Sequence, residues 1–345
     1  MSKNKKVIVG LSGGIDSSMT AYLLKQEGYN IEGIYMKLYE ASDGYHDKNI
    51  AIVKRVSEFL DIKYHILDLS GEFEKDIYDY FVQSYIDGIT PNPCVKCNAK
   101  IKFGRLYDEA LKLGADFLAT GHYAKTDGKF IYVADDLTKD QSYFLAQVKK
   151  EVLPKLIFLM SKYKKEDIKE IARKIPEFEE LVNQKESQEI CFVDTVYTDL
   201  LKKHTNIDMQ GDTLDEDGNV IGHHKGYMHY TIGKRRGFYV HGAHEPHFVL
   251  GVDKEKNTIT VGKKEKLAIN EVLCDNLNIY IDKKDFRSTV KLRYRTKAVQ
   301  CRVKIQNNLC QIILQEPVYG VASGQVAVFY DGDKVIGSGW IVKTI

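Results

Sequence analysis

Residues 7–18, Val-Ile-Val-Gly-Leu-Ser-Gly-Gly-Ile-Asp-Ser-Ser, constrain this chain more than any other stretch. An apolar run suited to a buried strand breaks into a glycine turn, and a helical pattern starts directly behind it. Gly13 and Gly14 lack Cβ atoms, so the backbone can take positive φ and bring its N–H groups close to an anion. Ser17 and Ser18 open the following helix, whose N-terminus adds a partial positive charge aimed the same way. The stretch is a phosphate site at the head of an α/β fold. No lysine ends the loop, so the Walker A pattern fails, and the Rossmann glycine spacing fails as well.

What stands here, Ser12-Gly-Gly-Ile-Asp16-Ser17 after a strand, resembles the PP-loop of the ATP pyrophosphatases, the adenine nucleotide alpha hydrolase-like fold. That resemblance implies cleavage of ATP between its α and β phosphates. Gly10, Leu11, Ser12, Gly13, Gly14, Ile15, Asp16 and Ser17 would line the nucleotide, and Asp16 would help hold Mg2+ on the departing pyrophosphate.

At 345 residues the chain exceeds one typical core, so two or three domains are expected. A net charge of +2 neither demands nor excludes a nucleic-acid partner, so local clusters must decide. No signal-type segment precedes the first strand, and no apolar run approaches membrane-spanning length, which predicts a cytoplasmic protein without a membrane partner. Six cysteines in a reducing compartment are then thiols, ligands or catalysts rather than a disulfide framework.

Helix and strand alternate through the first part of the chain. Ile31–Met36 reads as a strand, 47–60 as a helix, Tyr64–Leu69 as a strand, 72–86 as a helix and Asp116–Ala119 as a further strand, a parallel-sheet rhythm. That last strand ends in Thr120-Gly121-His122-Tyr123, where the carboxyl edge of such a sheet faces its ligand crevice, so Gly121 and His122 are placed to line it. Residues 87–98 carry two prolines and read as a loop holding Cys94 and Cys97. A lysine-rich, largely helical stretch runs to about 184, and the loop over 185–192 carries Cys191. From about 205, turn residues at hairpin intervals predict a small β-containing domain. Alternation in Val290–Arg295, Cys301–Ile305 and Gln325–Tyr330 predicts a C-terminal antiparallel β-barrel with a turn at Asp331-Gly332-Asp333. The expected domains are 1–204, 205–266 and 267–345.

Cys94 and Cys97 form a lone CxxC, which by itself supports half a zinc site, half an iron–sulfur site or a redox pair. Cys274, Cys301 and Cys310 lie singly in strand-like runs, where buried inert thiols are common. Six of the ten histidines fall between 223 and 247, but Gly and Pro among them deny the helical spacing that aligns two metal ligands. A structural or RNA-facing role is the expectation for them.

Together the motifs are more specific. Ser12–Ser17, Thr90-Pro-Asn-Pro-Cys-Val-Lys-Cys97-Asn98, Ala119-Thr-Gly-His-Tyr123, Lys139-Asp-Gln-Ser-Tyr-Phe144 and Ile190-Cys191-Phe192 occur in the order found in the tRNA-specific 2-thiouridylases, the MnmA family. Thr231–Gly237, Arg293-Tyr-Arg295 and Ser323-Gly-Gln325 continue the resemblance, which covers essentially the whole chain. It implies an enzyme that adenylates the C2 oxygen of the wobble uridine of tRNA and replaces it with sulfur. Cys191 would carry a persulfide delivered by a relay protein, and Cys97 would be the second nucleophile. Asn92, Pro93 and Cys94 would line the target base, and Met36 and Gly121 would touch ATP. His122, Lys139, Asp140, Gln141, Arg293, Tyr294 and Gln325 would touch tRNA, of the Lys, Glu and Gln type. Lys234, Arg235 and Arg236 form a basic turn fitted to phosphates.

Cys94 departs from the Asp that many members carry. With Cys97 and Cys191 it makes three thiols, enough to hold a [4Fe-4S] cluster with one iron open to an exogenous sulfide, and that alternative stands beside the persulfide relay. Two rival classes remain. An amide-forming PP-loop ligase has no need of Cys97 and Cys191, and a non-catalytic RNA-binding protein has no need of an intact Ser12, Asp16 and Ser17.

Overall fold

The computed structural model describes residues 5–40, 42–184, 190–193 and 196–345. Part of the loop expected over 185–192 therefore lies outside the described residues. The chain divides into two compact units, the first comprising Met1–Ile77, Cys94–Phe192 and Gly332–Ile336, the second Tyr78–Pro93, Val193–Asp331 and Gly337–Ile345.

The first unit is built on a parallel sheet. Val7, Ile8 and Val9 of β1 (Lys6–Leu11) are wholly buried, as an apolar strand covered on both faces requires. Helix α1 (Ile15–Gln26) presses Met19, Ala21 and Leu24 onto the sheet, and α2 (Tyr45–Leu60) adds Ile52, Val53 and Val56. The strands β2 (Asn30–Lys37), β3 (Tyr64–Asp68) and β4 (Phe117–Ala119) follow. A short hairpin, β5 (Lys125–Thr126) and β6 (Ile131–Tyr132), precedes β7 (Leu156–Ile157). The sheet order is β3-β2-β1-β4-β7 with parallel pairing throughout. Crossovers leave β1 to one side and β4 to the other, so the loops behind β1 and β4 flank the topological switch point.

Three local readings change. Residues 93–97 are helical, not loop: Pro93 opens the helix Pro93–Cys97, a position where its missing N–H costs nothing, and π-helical turns over Asn98–Arg105 follow. The lysine-rich stretch contains β7, too short at two residues to leave a period in the sequence. Strand character after Val290 stops at Lys291, and Arg293 enters a turn closed by the Thr296 amide on its carbonyl.

The second unit holds a five-stranded sheet of β8 (Gly211–Leu214), β9 (Val220–His224), β10 (Phe238–Val240), β11 (Phe248–Asp253) and β12 (Thr258–Gly262). It also holds the barrel strands β13 (Ala268–Ile279), β14 (Asp285–Lys291), β15 (Val299–Gln306), β16 (Leu309–Tyr319), β17 (Val326–Asp331) and β18 (Lys334–Thr344), of which the opening residues Lys334–Ile336 belong to the first unit. Pairing of β13 with both β16 and β18 closes the antiparallel barrel, which removes its free edges. Cys274, Cys301 and Cys310 are buried in it, with Cys274 directly opposite Cys310. The turn at Asp331-Gly332-Asp333 joins β17 to β18 with Gly332 at φ 64°.

Candidate active site

The phosphate loop is held open by its own side chains. Gly13 sits at φ 79°, and a Cβ there would lie 2.8 Å from Asn49 Oδ1. The Ser12 amide donates to Ser17 Oγ at 3.1 Å, and the Ser17 and Ser18 hydroxyls each donate to the Gly14 carbonyl at 3.0 Å. Gly14 is the N-cap of α1, and no side chain caps that end. Its first amides therefore keep their capacity for an anion. Leu11 lies opposite Tyr35 in the β1–β2 register, which brings Met36, half-buried, just past the end of β1. Gly10, at the end of the same strand, packs 3.4 Å from Leu106 through an imagined Cβ.

Gly121 explains itself by distance. A Cβ on it would come within 2.9 Å of Asp16 C and Ser17 N, so only glycine lets the loop after β4 close on the start of α1. The same closure brings Tyr123 to the loop, where its hydroxyl donates to Asp16 Oδ1 at 2.9 Å. Lys165 completes the arrangement. Its ammonium lies 2.7 Å from both Asp16 oxygens and 5.9 Å from the Tyr123 ring centre, and the residue is only 5 % exposed. Sequence reading missed Lys165, since nothing local marks a lysine 149 residues from its partner. Asp16 keeps a third of its side chain open to solvent, so one edge of the carboxylate remains for a cation that takes its other ligands from phosphate and water. Mg2+ fits such a place.

The sulfur-bearing residues form a second group in the same unit. Cys97 is buried, Cys94 half-buried and Cys191 exposed. Phe192 anchors the Cys191 loop edge-on against Phe73 and Tyr39, at 5.6 and 6.1 Å between ring centres. Burial pushes the Cys94 thiol up to about 11, with Cys191 adding to the rise, and the Cys97 thiol up to about 12. Protein packed around the Cys191 sulfur raises it too, although the residue reaches the surface. Lys102 opposes the rise at all three thiols. All three are thus protonated at neutral pH in this state. They sense one another's charge, yet among the described residues no group of three or more His, Cys, Asp or Glu side chains is arranged to hold a metal ion.

His122 is buried, its Nδ1 2.8 Å from Thr120 Oγ1, and burial holds its pKa well below the ordinary value, so the ring is neutral. Asp140 is also buried, its carboxylate accepting from the amides of Ala134 and Ser142 at 3.1 Å and from the Ser142 hydroxyl at 2.8 Å. Gln141 accepts from the Tyr123 amide at 3.0 Å, which ties the 139–144 segment to the loop after β4. Lys139 is half-exposed, its amide closing a turn on Asp136.

In the second unit, Gln325 donates from Nε2 to the carbonyls of Thr90 and Pro91, each at 3.0 Å, and Thr90 donates its amide to Ser323. Gly324, at φ 85°, leaves no room for a Cβ, which would meet Ile89 at 2.3 Å. Gln325 thus organises the backbone before Asn92 and Pro93, both buried. Arg293 donates to the Ile232 carbonyl at 3.2 Å, which sets it beside the basic turn. There Lys234 is half-buried over the Tyr230 ring, and Arg235 and Arg236 are exposed. Tyr294 follows Arg293, half-buried in the same turn.

A family model described as a tRNA methyl transferase HUP domain matches residues 5–195. A tRNA methyl transferase PRC-barrel domain matches 198–263, and an aminomethyltransferase β-barrel domain matches 269–341. The tRNA-specific 2-thiouridylase MnmA 1 of Aliarcobacter butzleri is 60 % identical over 345 residues, covering all of both chains. The tRNA-specific 2-thiouridylase MnmA of Sulfurimonas denitrificans is 54 % identical over 338 residues, covering 98 % of this chain and 99 % of its own. A solved U34-tRNA thiolase NcsA from Methanococcus maripaludis is 25 % identical over 59 % of this chain and 65 % of its own, at a TM-score of 0.35, a likeness too slight to carry weight. With full-length identity of 60 % and the three matched segments in sequence, the chain belongs to the family of the tRNA-specific 2-thiouridylases MnmA.

Proposed function

We propose that this chain catalyses ATP-dependent 2-thiolation of the wobble uridine, position 34, of tRNA. The observation that carries the reading is one compact unit holding both a phosphate loop with a charge-balanced Asp16 and three neighbouring thiols, Cys94, Cys97 and Cys191. An amide-forming ligase gives the thiols nothing to do. A binding protein has no use for the Lys165–Asp16 pair.

The chemistry needs two stages. The uridine C2 oxygen is a poor leaving group, so it first attacks the α-phosphorus of ATP, forming an O–P bond and expelling pyrophosphate. The α1 amides and the Ser12–Ser17 loop receive the phosphates. Mg2+, when bound at the open edge of Asp16, would draw charge from the departing pyrophosphate. In the second stage the outer sulfur of a Cys191 persulfide attacks C2, and AMP leaves with the bonding pair. Cys97 thiolate then attacks the Cys191 sulfur and breaks the S–S bond, whose electron pair stays on the uridine sulfur. The uridine sulfur is reduced as Cys97 and Cys191 are oxidised to a disulfide, which a dithiol reductant must reset. A relay protein bearing a persulfide supplies the sulfur. A [4Fe-4S] cluster on Cys94, Cys97 and Cys191 finds no ready ligand set among the described residues.

On this reading residues 1–204 are the catalytic domain, and 205–266 and 267–345 serve tRNA. His122, Lys139, Asp140, Gln141, Arg293, Tyr294, Gln325 and the 234–236 turn each contact tRNA, and Asn92, Pro93 and Cys94 meet the target base. The tRNAs are of the Lys, Glu and Gln type, and the enzyme is cytoplasmic. Among the described residues no helix is long and apolar enough to cross a membrane.

Mass spectrometry of tRNA nucleosides from a deletion strain tests the activity, with loss of 2-thiouridine derivatives as the expected result. Formation of 2-thiouridine by Cys191→Ser would sink the sulfur route. Iron retained after anaerobic purification and required for thiolation would replace the persulfide route with the cluster.

A further inference from the structure

The histidines between 223 and 247, and the rings among them, have no part in the phosphate loop or the thiols. Strand alternation sorts them. One face of the β9–β10 pair carries the buried His224 and the half-buried Phe238, joined by Tyr230, whose ring stands 5.4 Å from His224 and 5.9 Å from Phe238. The other face carries His223 and Tyr239, direct partners in the antiparallel register, with His241 two residues on. Tyr239 is the centre of this outer group. Its ring lies 5.1 Å from His223, tilted by 32°, and 5.0 Å from His241, edge-on at 90°. All three are exposed, Tyr239 by 51 %. Core packing does not account for them, because they face water on an edge strand: β10 ends its sheet, with β9 its one partner among the described residues.

The charge around these rings has one sign. From Gly218 to His244 the chain carries no Asp or Glu, while it carries Lys225, Lys234, Arg235 and Arg236. The pairing of His224 with Phe238 puts Lys225 and the Arg235-Arg236 pair at the same end of the two strands, and all three are exposed. Glu245, which ends the acid-free stretch, pairs with Lys263 at 3.0 Å. Asp217, just before it, lies in the turn between β8 and β9, at the other end of β9. Asp212 stands opposite His223 on β8, on the side away from Tyr239. Open rings bordered by cations suit an unpaired nucleotide, whose base covers a ring while its phosphates meet the charges. Duplex RNA keeps its base faces in its own stack and offers backbone alone.

We propose that Tyr239, with His223 and His241 beside it, is a stacking platform for an unpaired base of tRNA, and that Lys225, Arg235 and Arg236 take the adjoining phosphates. The base is not the one to be thiolated, which meets Asn92, Pro93 and Cys94. The proposal rests on the tRNA reading above and deepens it, and it needs neither ATP nor the thiols.

Filter binding of the full chain to an unmodified tRNA transcript without ATP, across a range of salt concentrations, tests this apart from thiolation. Tyr239→Thr keeps a residue that strands favour and is expected to weaken binding about tenfold with the salt slope unchanged, since stacking releases no counter-ions. Tyr239→Phe and Tyr239→Trp keep a ring face and bind within about twofold of the parent. Arg236→Gln, by contrast, lowers the slope of log affinity against log salt by about one. A fully paired RNA duplex binds the parent and Tyr239→Thr alike. Tyr239→Thr that binds tRNA as the parent does overturns the proposal and leaves the rings to a protein partner. A Trp variant as weak as Thr, or an equal loss on the duplex by a folded Thr variant, overturns it too. Should Tyr239→Thr fail to fold, His223→Ala and His241→Ala carry the test, with about a threefold loss expected on tRNA and none on the duplex; no loss on tRNA overturns the proposal. 2-Thiouridine retained in the deletion strain takes down the activity and leaves this affinity comparison intact, whereas a parent chain that binds no tRNA takes down both.

Discussion

Asp16 and the three thiols meet the same physical problem, a charge at the edge of a buried site, and the fold answers it in opposite ways. Asp16 has its counter-charge already in place, since Lys165 grips both oxygens at 2.7 Å and Tyr123 adds a third bond at 2.9 Å. At the thiols, burial holds Cys94 and Cys97 protonated. The nucleotide end is pre-organised before ATP arrives. The sulfur end is kept inert until an anion is made there. An enzyme that handles persulfide gains from this difference, because a resting thiolate invites stray oxidation.

The widest test of the contrast is the pH dependence of thiol reactivity. Cys94 titrates at about 11 and Cys97 at about 12, so each stays below its pKa from pH 7 to 10, and its thiolate fraction grows about tenfold per pH unit. Alkylation of these two residues in the tRNA-free protein is expected to rise roughly a thousandfold across that range without levelling. A plateau near pH 8 would show thiolates already formed and would erase the contrast. Stability carries the matching sign. These pKa values are raised in the folded state, so the stabilisation from protonated thiols is fully present below the unfolded value of 9.0 and is lost as pH climbs toward 11 and 12.

Next in size is the Lys165–Asp16 pair. Lys165→Met strips the cation from a carboxylate that is one third exposed, so the loss should be roughly 2–3 kcal/mol, below the ~3–5 kcal/mol of a fully buried pair because water reaches Asp16. Urea unfolding measures it. The double variant Asp16→Asn with Lys165→Met should regain part of that stability while remaining unable to release pyrophosphate, since the pair then leaves no orphaned charge. Additive losses in the two single variants would show that the residues do not act as a unit.

The legibility of the two regions differs for the same reason. The phosphate loop is contiguous, and its glycines and serines announce φ, close approach and capping within six residues, Ser12 to Ser17. The alternation of β15 and the register of the barrel strands likewise follow a period that sequence displays. What sequence did not display was long-range. Lys165 reaches Asp16 from another helix, 149 residues along the chain. The helix at Pro93–Cys97 was hidden because two prolines signal a loop, although the second of them sits where a helix accepts proline. Asp140 and Gln141 read as RNA contacts through resemblance, and the structure adds that both are tied into the protein's own backbone.

Smaller effects refine the boundary between a pre-built and an awaiting site. Gly121→Ala would drive a Cβ to 2.9 Å from Asp16 C and Ser17 N, both backbone, so neither can swing aside. A loss of about 1–3 kcal/mol and a raised KM for ATP are expected, because the start of α1 must shift. An unchanged KM would mean that the nucleotide end tolerates movement and is less pre-organised than its hydrogen bonds suggest.

The smallest expected effect belongs to Gln325, which asks whether the segment before the residues proposed to meet the target base is held ready as the phosphate loop is. Gln325→Ala removes two donors, to the carbonyls of Thr90 and Pro91 at 3.0 Å, while Ser323 keeps its bond to the Thr90 amide. Since both freed carbonyls belong to backbone outside any helix or strand, the cost should be about 1 kcal/mol, with exchange at the Thr90 amide faster by roughly fivefold. KM for tRNA should rise by a similar factor if this segment positions the base. Faster exchange with an unchanged KM for tRNA would put the segment with the thiols, ordered by its substrate rather than before it.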